Sequence, residues 1–332
     1  MVTYGINGIG RIGKFALKAL IEREAKVSWI NDSSGTIDLH RHLLEYDSVH
    51  GKWDADFSND EKSITINDKK IIFQTSSTIE NIELEDVDII IDCTGYYKSR
   101  SKLLNYFNMG VKKVVVSAPI EDENIANIVY GVNQDIYDSK KYDIVTAASC
   151  TTNCLAPIVK VIHENIGIKH GSITTIHNPT NTQTIVDKAN KEFRRARSAL
   201  NSLIPTTTGS AKAITLIYPE LLGKLNGQAV RVPLLNSSLT DCVFEVSRKT
   251  NKKEINNLLK KASEQELRGI LGYEEKPLVS TDYLSDKRSA IIDADCTMVI
   301  NETQVKIYAW YDNEIGYAER LIDVSQMVGS FL

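Results

Sequence analysis

Apolar residues in the first 150 positions follow two alternating rhythms. Unbroken runs such as Ile89-Ile90-Ile91 and Val114-Val115-Val116 suit strands buried on both faces of a parallel sheet. Between them, apolar positions recur at helical spacing. "VTYGIN" leads to a predicted helix near 11–25, "KVSWIND" to one near 35–46, and "VDIIIDCTG" to one near 98–109, followed by "VKKVVVSAP". Strands alternating with crossover helices predict a doubly wound, Rossmann-like α/β domain. Inside it, "KSITINDKKIIFQTS" reads as a hairpin turning at Asn67-Asp68.

The rhythm changes after residue 150. A predicted helix over 150–165 precedes "GSITTIH" and then a polar, arginine-rich stretch over 178–202. That stretch is too long and irregular for a routine connection, and long ordered loops are often functional. "AVRVPLL", "LTDCVFEVSR" and "CTMVINETQVKIYAWYD" read as strands, with a helix near 252–264. Strands in runs with helices apart predict an α+β domain with a mixed or antiparallel sheet. The amphipathic pattern over 314–329 is expected to return to the first domain. The expected division is therefore 1–149 plus 314–332 against 150–313.

Composition narrows the classes. The chain has 332 residues, 42 % hydrophobic and 25 % charged, with a net charge of -4. These are ordinary globular values with no basic field for nucleic acid. The start, "MVTYGINGIGRIG", lacks a signal-peptide layout, and no apolar run suits a bilayer span. Five scattered cysteines do not form a secreted disulfide framework. A cytoplasmic protein with reduced thiols is expected.

Two stretches carry chemistry. Gly8-x-Gly10-x-x-Gly13 follows a strand and opens a helix. Glycines there let backbone N–H groups approach a pyrophosphate at the positive helix end. Asp32 ends the next strand, nineteen residues past Gly13, where a carboxylate can hold the ribose hydroxyls of NAD. The second stretch is "AASCTTNCLAP". Zinc would need two further ligands that do not stand nearby. A disulfide between Cys150 and Cys154, one helical turn apart, is too long a reach. Cys154, with Leu155 and Val159, suits a core. Cys150 sits where a strand gives way to a helix, where the dipole favours thiolate. A nucleophile needs a base, and among six histidines His177 ends the strand "SITTIH". The residues alone leave His177 open between base and packed histidine.

Over essentially its whole length the sequence resembles the glyceraldehyde-3-phosphate dehydrogenase family, in its phosphorylating branch. The likeness rests on "INGIGRIG", "EYDSVHGK", "VVVSAP", "ASCTTNCLAP", "TTIHNPTNTQT", "IPTTTGSAKAI", "LNGQAVRVP", "GILGYEEKPLVS" and "WYDNEIGYAER", in the family's order. The resemblance implies a glycolytic oxidoreductase that oxidises D-glyceraldehyde 3-phosphate through a Cys150 thioester, with His177 as acid–base partner. Phosphate then releases 1,3-bisphosphoglycerate. It implies that Thr180, Thr182 and Arg231 hold the substrate's phosphate. Ser149, Thr151, Thr208 and Gly209 would hold the attacking phosphate, with Arg197 close to both. Around NAD it implies Asn7, Gly8, Gly10, Arg11, Ile12, Asp32, Thr94 and Ser117, with Asn313 on the nicotinamide carboxamide. A homotetramer is also implied.

Ser33 after Asp32 resembles members that accept both cofactors, so NAD is the expected cofactor with NADP tolerated, Lys188 of a neighbouring copy assisting. "HGSITTIHNPTNTQT", "SLIPTTTGSA" and "SLTDCVFEV" are similar to a subgroup that uses arsenate as the acyl acceptor for export. Erythrose-4-phosphate dehydrogenase, which hydrolyses its thioester, is an enzyme alternative disfavoured by the intact Thr206-Thr207-Thr208-Gly209. A non-catalytic nucleotide- or RNA-binding protein is the alternative of another class, disfavoured by retention of Cys150 and His177.

Overall fold

The computed structural model describes residues 1–83 and 86–332. The chain divides into two compact units, Met1–Ser149 with Tyr317–Leu332, and Cys150–Gly316. Both expected architectures, the Rossmann-like one and the mixed-sheet one, are found.

The first unit runs β1 (Thr3–Asn7), α1 (Arg11–Glu22), β2 (Lys26–Asn31), α2 (Ile37–Glu45), β3 (Tyr46–Asp47), β4 (Gly51–Lys52), β5 (Phe57–Asn59), β6 (Ser63–Ile66), β7 (Lys69–Gln74), β8 (Ile89–Asp92), α3 (Arg100–Asn108), β9 (Lys113–Val116), β10 (Ile125–Asn127) and β11 (Ile144–Thr146). Apart from the small β3–β4 hairpin these strands form one sheet, ordered β10-β11-β9-β8-β1-β2-β7-β6-β5. It is parallel from β10 to β7 and antiparallel beyond. The all-apolar runs explain the parallel part. Ile89, Ile90, Ile91, Val114 and Val115 are fully buried, each burial worth about 1.5–3 kcal/mol. The hairpin turns where Asn67 and Asp68 both adopt positive φ, 46° and 63°, as a type I′ turn requires. Helix α1 stops three residues short of its expected end, because Glu24 turns left-handed at φ 57°.

The sheet's register prepares a site. Asn7 is level with Asn31 on one side and Asp92 on the other, and Asp92 is level with Val116. The chain runs from β1 outward through β2, then returns through β8 on the opposite flank. The loops after β1, β2, β8 and β9 therefore converge at the point where strand order reverses, which is where open α/β sheets bind ligands.

The second unit runs α4 (Cys150–Asn165), β12 (Ile168–His177), β13 (Ile204–Thr207), α5 (Ser210–Ile217), β14 (Leu225–Arg231), β15 (Ser238–Val246), α6 (Lys252–Glu264), β16 (Leu271–Glu274), β17 (Ala290–Ile300) and β18 (Gln304–Tyr311). Its sheet is ordered β13-β14-β12-β15-β18-β17-β16. Two pairs, β12–β14 and β16–β17, are parallel and the rest antiparallel. Helix α4 is buried from Thr151 through Val159 without a polar face, the mark of a core helix. Helix α6 is capped by Asn251, whose side chain accepts from Glu254 N at 3.0 Å. Helix α7 (Ile315–Gly329) follows, and from Tyr317 belongs to the first unit. There Arg23 reaches Glu319 and Asp323, the latter at 2.7 Å.

Candidate active site

The thiol is presented by a bend. Strand β11 ends at Thr146, whose hydroxyl accepts from Ala148 N at 3.1 Å, and Ala148 takes a positive φ of 52°. Such a φ is uncommon outside glycine, and it turns the chain so that Cys150 becomes the first residue of α4. Its Sγ lies 3.6 Å from His177 Nε2 and 4.0 Å from Thr151 Oγ1. Cys154, one turn further, is fully buried, and its thiol is pushed up to about 12 by burial. The two cysteines are therefore unequal.

His177 is placed by register. It closes β12 level with Arg231, which closes the adjacent parallel strand β14, so the two side chains share a face. Arg231 Nη1 lies 2.7 Å from His177 Nδ1, and Asn178 O lies 2.8 Å from the same nitrogen. The ring packs edge-on against Tyr311 with centroids 5.9 Å apart. Tyr311 Oη in turn bridges Thr151 Oγ1 at 2.9 Å and Thr175 Oγ1 at 2.8 Å. That hydroxyl chain was invisible in the sequence, since its members come from three distant elements.

Burial dominates the charges. It holds His177 down to about 3, with Arg231 adding to the effect. It also raises the Cys150 thiol, although Arg231 and the Thr151 hydroxyl and N–H pull the other way. The helix-end N–H groups of Thr151 and Cys150 favour thiolate, as expected from the sequence, and desolvation is the larger, opposing cause. Moving the proton from Sγ to Nε2 creates both charges together, and their attraction at this distance offsets what either would cost alone.

Polar groups for anions surround the thiol's unit. Gly209 caps α5 without a side-chain bond of its own, beside Thr208, whose Oγ1 meets Ser210 Oγ at 3.0 Å. Ser149 is half-buried at the bend, and Thr180 and Thr182 are exposed, their hydroxyls 3.1 Å apart. Arg197 differs from expectation. Its side chain is 69 % exposed and pairs with Asp187 at 2.8 Å. Arg195, two residues earlier, is the one turned inward: it is 13 % exposed, donates to Thr182 Oγ1 at 3.0 Å, and its charge reaches Arg231. "RRAR" offers three guanidiniums, and only the turn Phe193–Ala196 decides which faces in. Asn313 is buried and accepts from Ser238 Oγ at 3.2 Å.

In the first unit, the glycine loop has the shape a dinucleotide needs. Gly8 has φ 92°, and a Cβ there would meet Cys93 and Thr94 backbone at 2.8 Å. A Cβ on Gly13 would strike Gly8 O at 1.8 Å. Around Gly10 space is open, and α1 starts without a side-chain cap, leaving its N–H groups for an anion. Arg11 and Ile12 are half-buried in the first turn; the Arg11 guanidinium engages Asp47. Asp32 Oδ2 accepts from Ile9 N at 3.1 Å and Oδ1 from Ser34 N at 3.2 Å. These residues fit NAD.

Asn7 does not face outward: its Nδ2 donates to Tyr106 Oη at 2.6 Å and its Oδ1 accepts from Asn31 Nδ2 at 2.8 Å. It supports the loop from beneath. Tyr106 Oη donates to Asp92 Oδ2 at 2.9 Å, and Thr94 Oγ1 to Asp92 Oδ1 at 2.7 Å. Ser117 N bonds Asp92 O at 2.9 Å. Buried Asp92, raised to about 6 by desolvation, is thus the hub below the loops. Among the described residues no cluster of three or more His, Cys, Asp or Glu could hold a metal, and no helix is long and apolar enough to cross a membrane.

Residues 2–100 match the family described as glyceraldehyde 3-phosphate dehydrogenase, NAD binding domain, and residues 149–313 match its C-terminal domain. Glyceraldehyde-3-phosphate dehydrogenase 3 of Nostoc sp. is 55 % identical over 331 residues, covering 98 % of both chains. Glyceraldehyde-3-phosphate dehydrogenase of Geobacillus stearothermophilus is 47 % identical, covering 99 % of this chain and 98 % of its own. Glyceraldehyde-3-phosphate dehydrogenase 1 of Bacillus subtilis is 46 % identical, covering 98 % of both. With its thiol–imidazole pair, its glycine cradle and this full-length likeness, the chain belongs to the glyceraldehyde 3-phosphate dehydrogenase family.

Proposed function

We propose that the protein is an NAD-dependent, phosphorylating dehydrogenase of D-glyceraldehyde 3-phosphate. The observation that carries this reading is the 3.6 Å approach of Cys150 Sγ to His177 Nε2, beside cationic Arg231. Cys150 adds to the aldehyde carbon, its proton passing by way of His177 Nε2 to the nascent alkoxide, so that a thiohemiacetal forms and Nε2 is again free. His177 Nε2 then takes the hydroxyl proton as the carbon loses hydride, leaving a thioester. NAD would accept the hydride; in the first unit Gly8, Gly10, Arg11, Ile12, Asp32, Thr94 and Ser117 would hold it, and in the second Asn313 would serve its carboxamide. Phosphate attacks the thioester carbonyl, and the Cys150 thiolate leaves as 1,3-bisphosphoglycerate forms.

Two anion groups suit the two phosphates. Thr180, Thr182 and Arg231 bind the substrate's ester, and Arg195 takes the part first expected of Arg197. Ser149, Thr151, Thr208 and Gly209 bind the attacking oxyanion. Hydroxyls, helix-end N–H groups and guanidinium forks are what phosphate recognition asks for. The exposed Ser33 leaves room beside Asp32 for NADP at lower kcat/KM than NAD; equal values would remove the preference.

A homotetramer is supported by large apolar side chains left exposed along one stretch: Ile185, Val186, Phe193, Leu200 and Leu203. A monomeric mass in solution would rule it out. Free thiols at all five cysteines suit the cytoplasm. The deciding experiment follows NADH appearance with glyceraldehyde 3-phosphate in the presence of phosphate, arsenate or neither. Rapid turnover with both oxyanions and little without them is expected. Equal rates without either would replace phosphorolysis by hydrolysis. In the Cys150→Ala variant turnover should vanish while NAD binding survives.

A further inference from the structure

The turn that carries Asp32 has little of its own to hold it. Between β2 and α2 the chain crosses residues 32–36, of which Ser33, Ser34, Gly35 and Thr36 are all exposed. Yet the Asp32 carboxylate depends on that turn. Ile9 N donates to its Oδ2 at 3.1 Å, while Ser34 N and Ser34 Oγ donate to its Oδ1 at 3.2 and 3.3 Å. One donor comes from the glycine loop, and the other two move with the turn. Where Ser34 sits therefore decides which lone pairs Asp32 still offers to a ribose.

The anchor is His40, in the first turn of α2. Its ring is 6 % exposed and packs at a tilt on Phe73, with centroids 5.0 Å apart. Phe73 lies on β7 level with Ile30 of β2, so the sheet itself backs the ring. His40 Nε2 lies 2.7 Å from Ser34 O. A carbonyl oxygen only accepts, so Nε2 carries a proton and donates it. Nδ1 is buried and meets no hydrogen-bond partner among the described residues. Burying an imidazole with one nitrogen unsatisfied costs free energy that a phenyl ring in the same packing would not bear. The one polar bond the ring makes goes to the exposed turn. Gly35 completes the fit: its φ is 88°, and a Cβ there would lie 3.0 Å from His40 Nε2.

We propose that His40 is a positioning residue for cofactor choice. By holding Ser34 O it aims Ser34 N–H at Asp32, and so fixes the carboxylate that favours NAD over NADP. A fixed carboxylate offers its remaining lone pairs to both ribose hydroxyls, an acceptor pair organised before the cofactor arrives. Its charge also faces a 2′-phosphate from which it cannot turn away. With the clasp open, Ser34 leaves Oδ1 and the carboxylate is free to rotate. NAD then loses preorganised acceptors, and NADP loses an obstacle. This deepens the NAD-preferring reading and rests on it.

The test measures Kd for NAD and for NADP by calorimetry, with amide hydrogen exchange over residues 31–40 in the cofactor-free protein. Wild type, His40→Phe and His40→Gln are compared. Phenylalanine keeps the packing on Phe73 without a donor, whereas the glutamine side-chain amide restores an N–H near the place of Nε2. Loss of one ordinary hydrogen bond corresponds to about 3- to 10-fold. In His40→Phe the ratio of the NADP Kd to the NAD Kd should fall by about that factor, with faster exchange in the turn. His40→Gln should recover both. An unchanged ratio or unchanged exchange in His40→Phe overturns the proposal. So does equal loss in both variants, which would make His40 a packing residue only. Each of these leaves the wild-type preference for NAD in place. Equal Kd values for the two cofactors in wild type would remove that preference, and the proposal with it. If His40→Phe does not fold, Gly35→Ala on the exposed turn attacks the same contact from the other side, and an unaltered ratio there overturns the proposal.

Discussion

At the scale of single residues, the site separates side chains that the sequence makes look alike. Cys150 and Cys154 differ because one opens α4 and the other lies a turn inside, within the helix's buried stretch from Thr151 to Val159. Arg195 and Arg197 differ because one donates to Thr182 and the other faces solvent opposite Asp187. Removing a charge-assisted hydrogen bond to phosphate costs about 1.5–3 kcal/mol, so Arg195→Ala should lower kcat/KM by about 10- to 100-fold. An exposed ion pair contributes about 0–1 kcal/mol, so Arg197→Ala should stay within a few-fold of wild type. Steady-state kinetics on the two variants checks this, and a larger loss from Arg197→Ala would reverse the assignment. Cys150 stood out in the sequence because it begins a strongly patterned element; the pattern placed His177 at a strand end, and only the family resemblance gave it a role. The inward arginine was not, because a short irregular turn has no periodicity from which to read direction.

At the scale of elements, the bend through Ala148 converts a strand end into a thiol at a helix start. Its φ of 52° costs an alanine about 1–2 kcal/mol that glycine would not bear. Glycine's larger loss of backbone entropy offsets about 0.5–1 kcal/mol of that, so Ala148→Gly should melt close to wild type. Ala148→Val puts a β-branched side chain at a buried, left-handed position and should destabilise by about 1–3 kcal/mol. It should also slow alkylation of Cys150; unchanged melting and alkylation would show the bend is relaxed. The parallel strands and the Asn67-Asp68 hairpin could be read ahead because their patterns are local. Strand β13 and helix α5 were not: "IPTTTGSAKAI" yields four- and eight-residue elements too short for a period to emerge. The register that levels His177 with Arg231 is a pairing of residues 54 apart, which no local pattern encodes.

At the scale of the whole molecule, buried Asp92 links stability to pH. Its carboxyl is raised from 3.8 to about 6 by burial. The folded state therefore holds the proton more tightly, and that stabilisation is complete below about pH 4 and lost as pH rises through 6. The shift corresponds to about 3 kcal/mol. Melting temperature should fall from about pH 5 to about pH 7.5 more steeply in wild type than in Asp92→Asn; parallel slopes would show that Asp92 does not titrate in that window. The placement of α7 has a different consequence, one of timing. Its residues from Tyr317 onward bury Leu321, Ile322 and Val328 within the first unit, and Gly329 packs against Tyr4 and Ile89 of the central strands. Yet they leave the ribosome only after every residue of the catalytic unit. During synthesis the nucleotide-binding sheet must wait with apolar surface uncovered while the later unit is made, so the nascent chain should present a chaperone-binding face that disappears when the last helix docks.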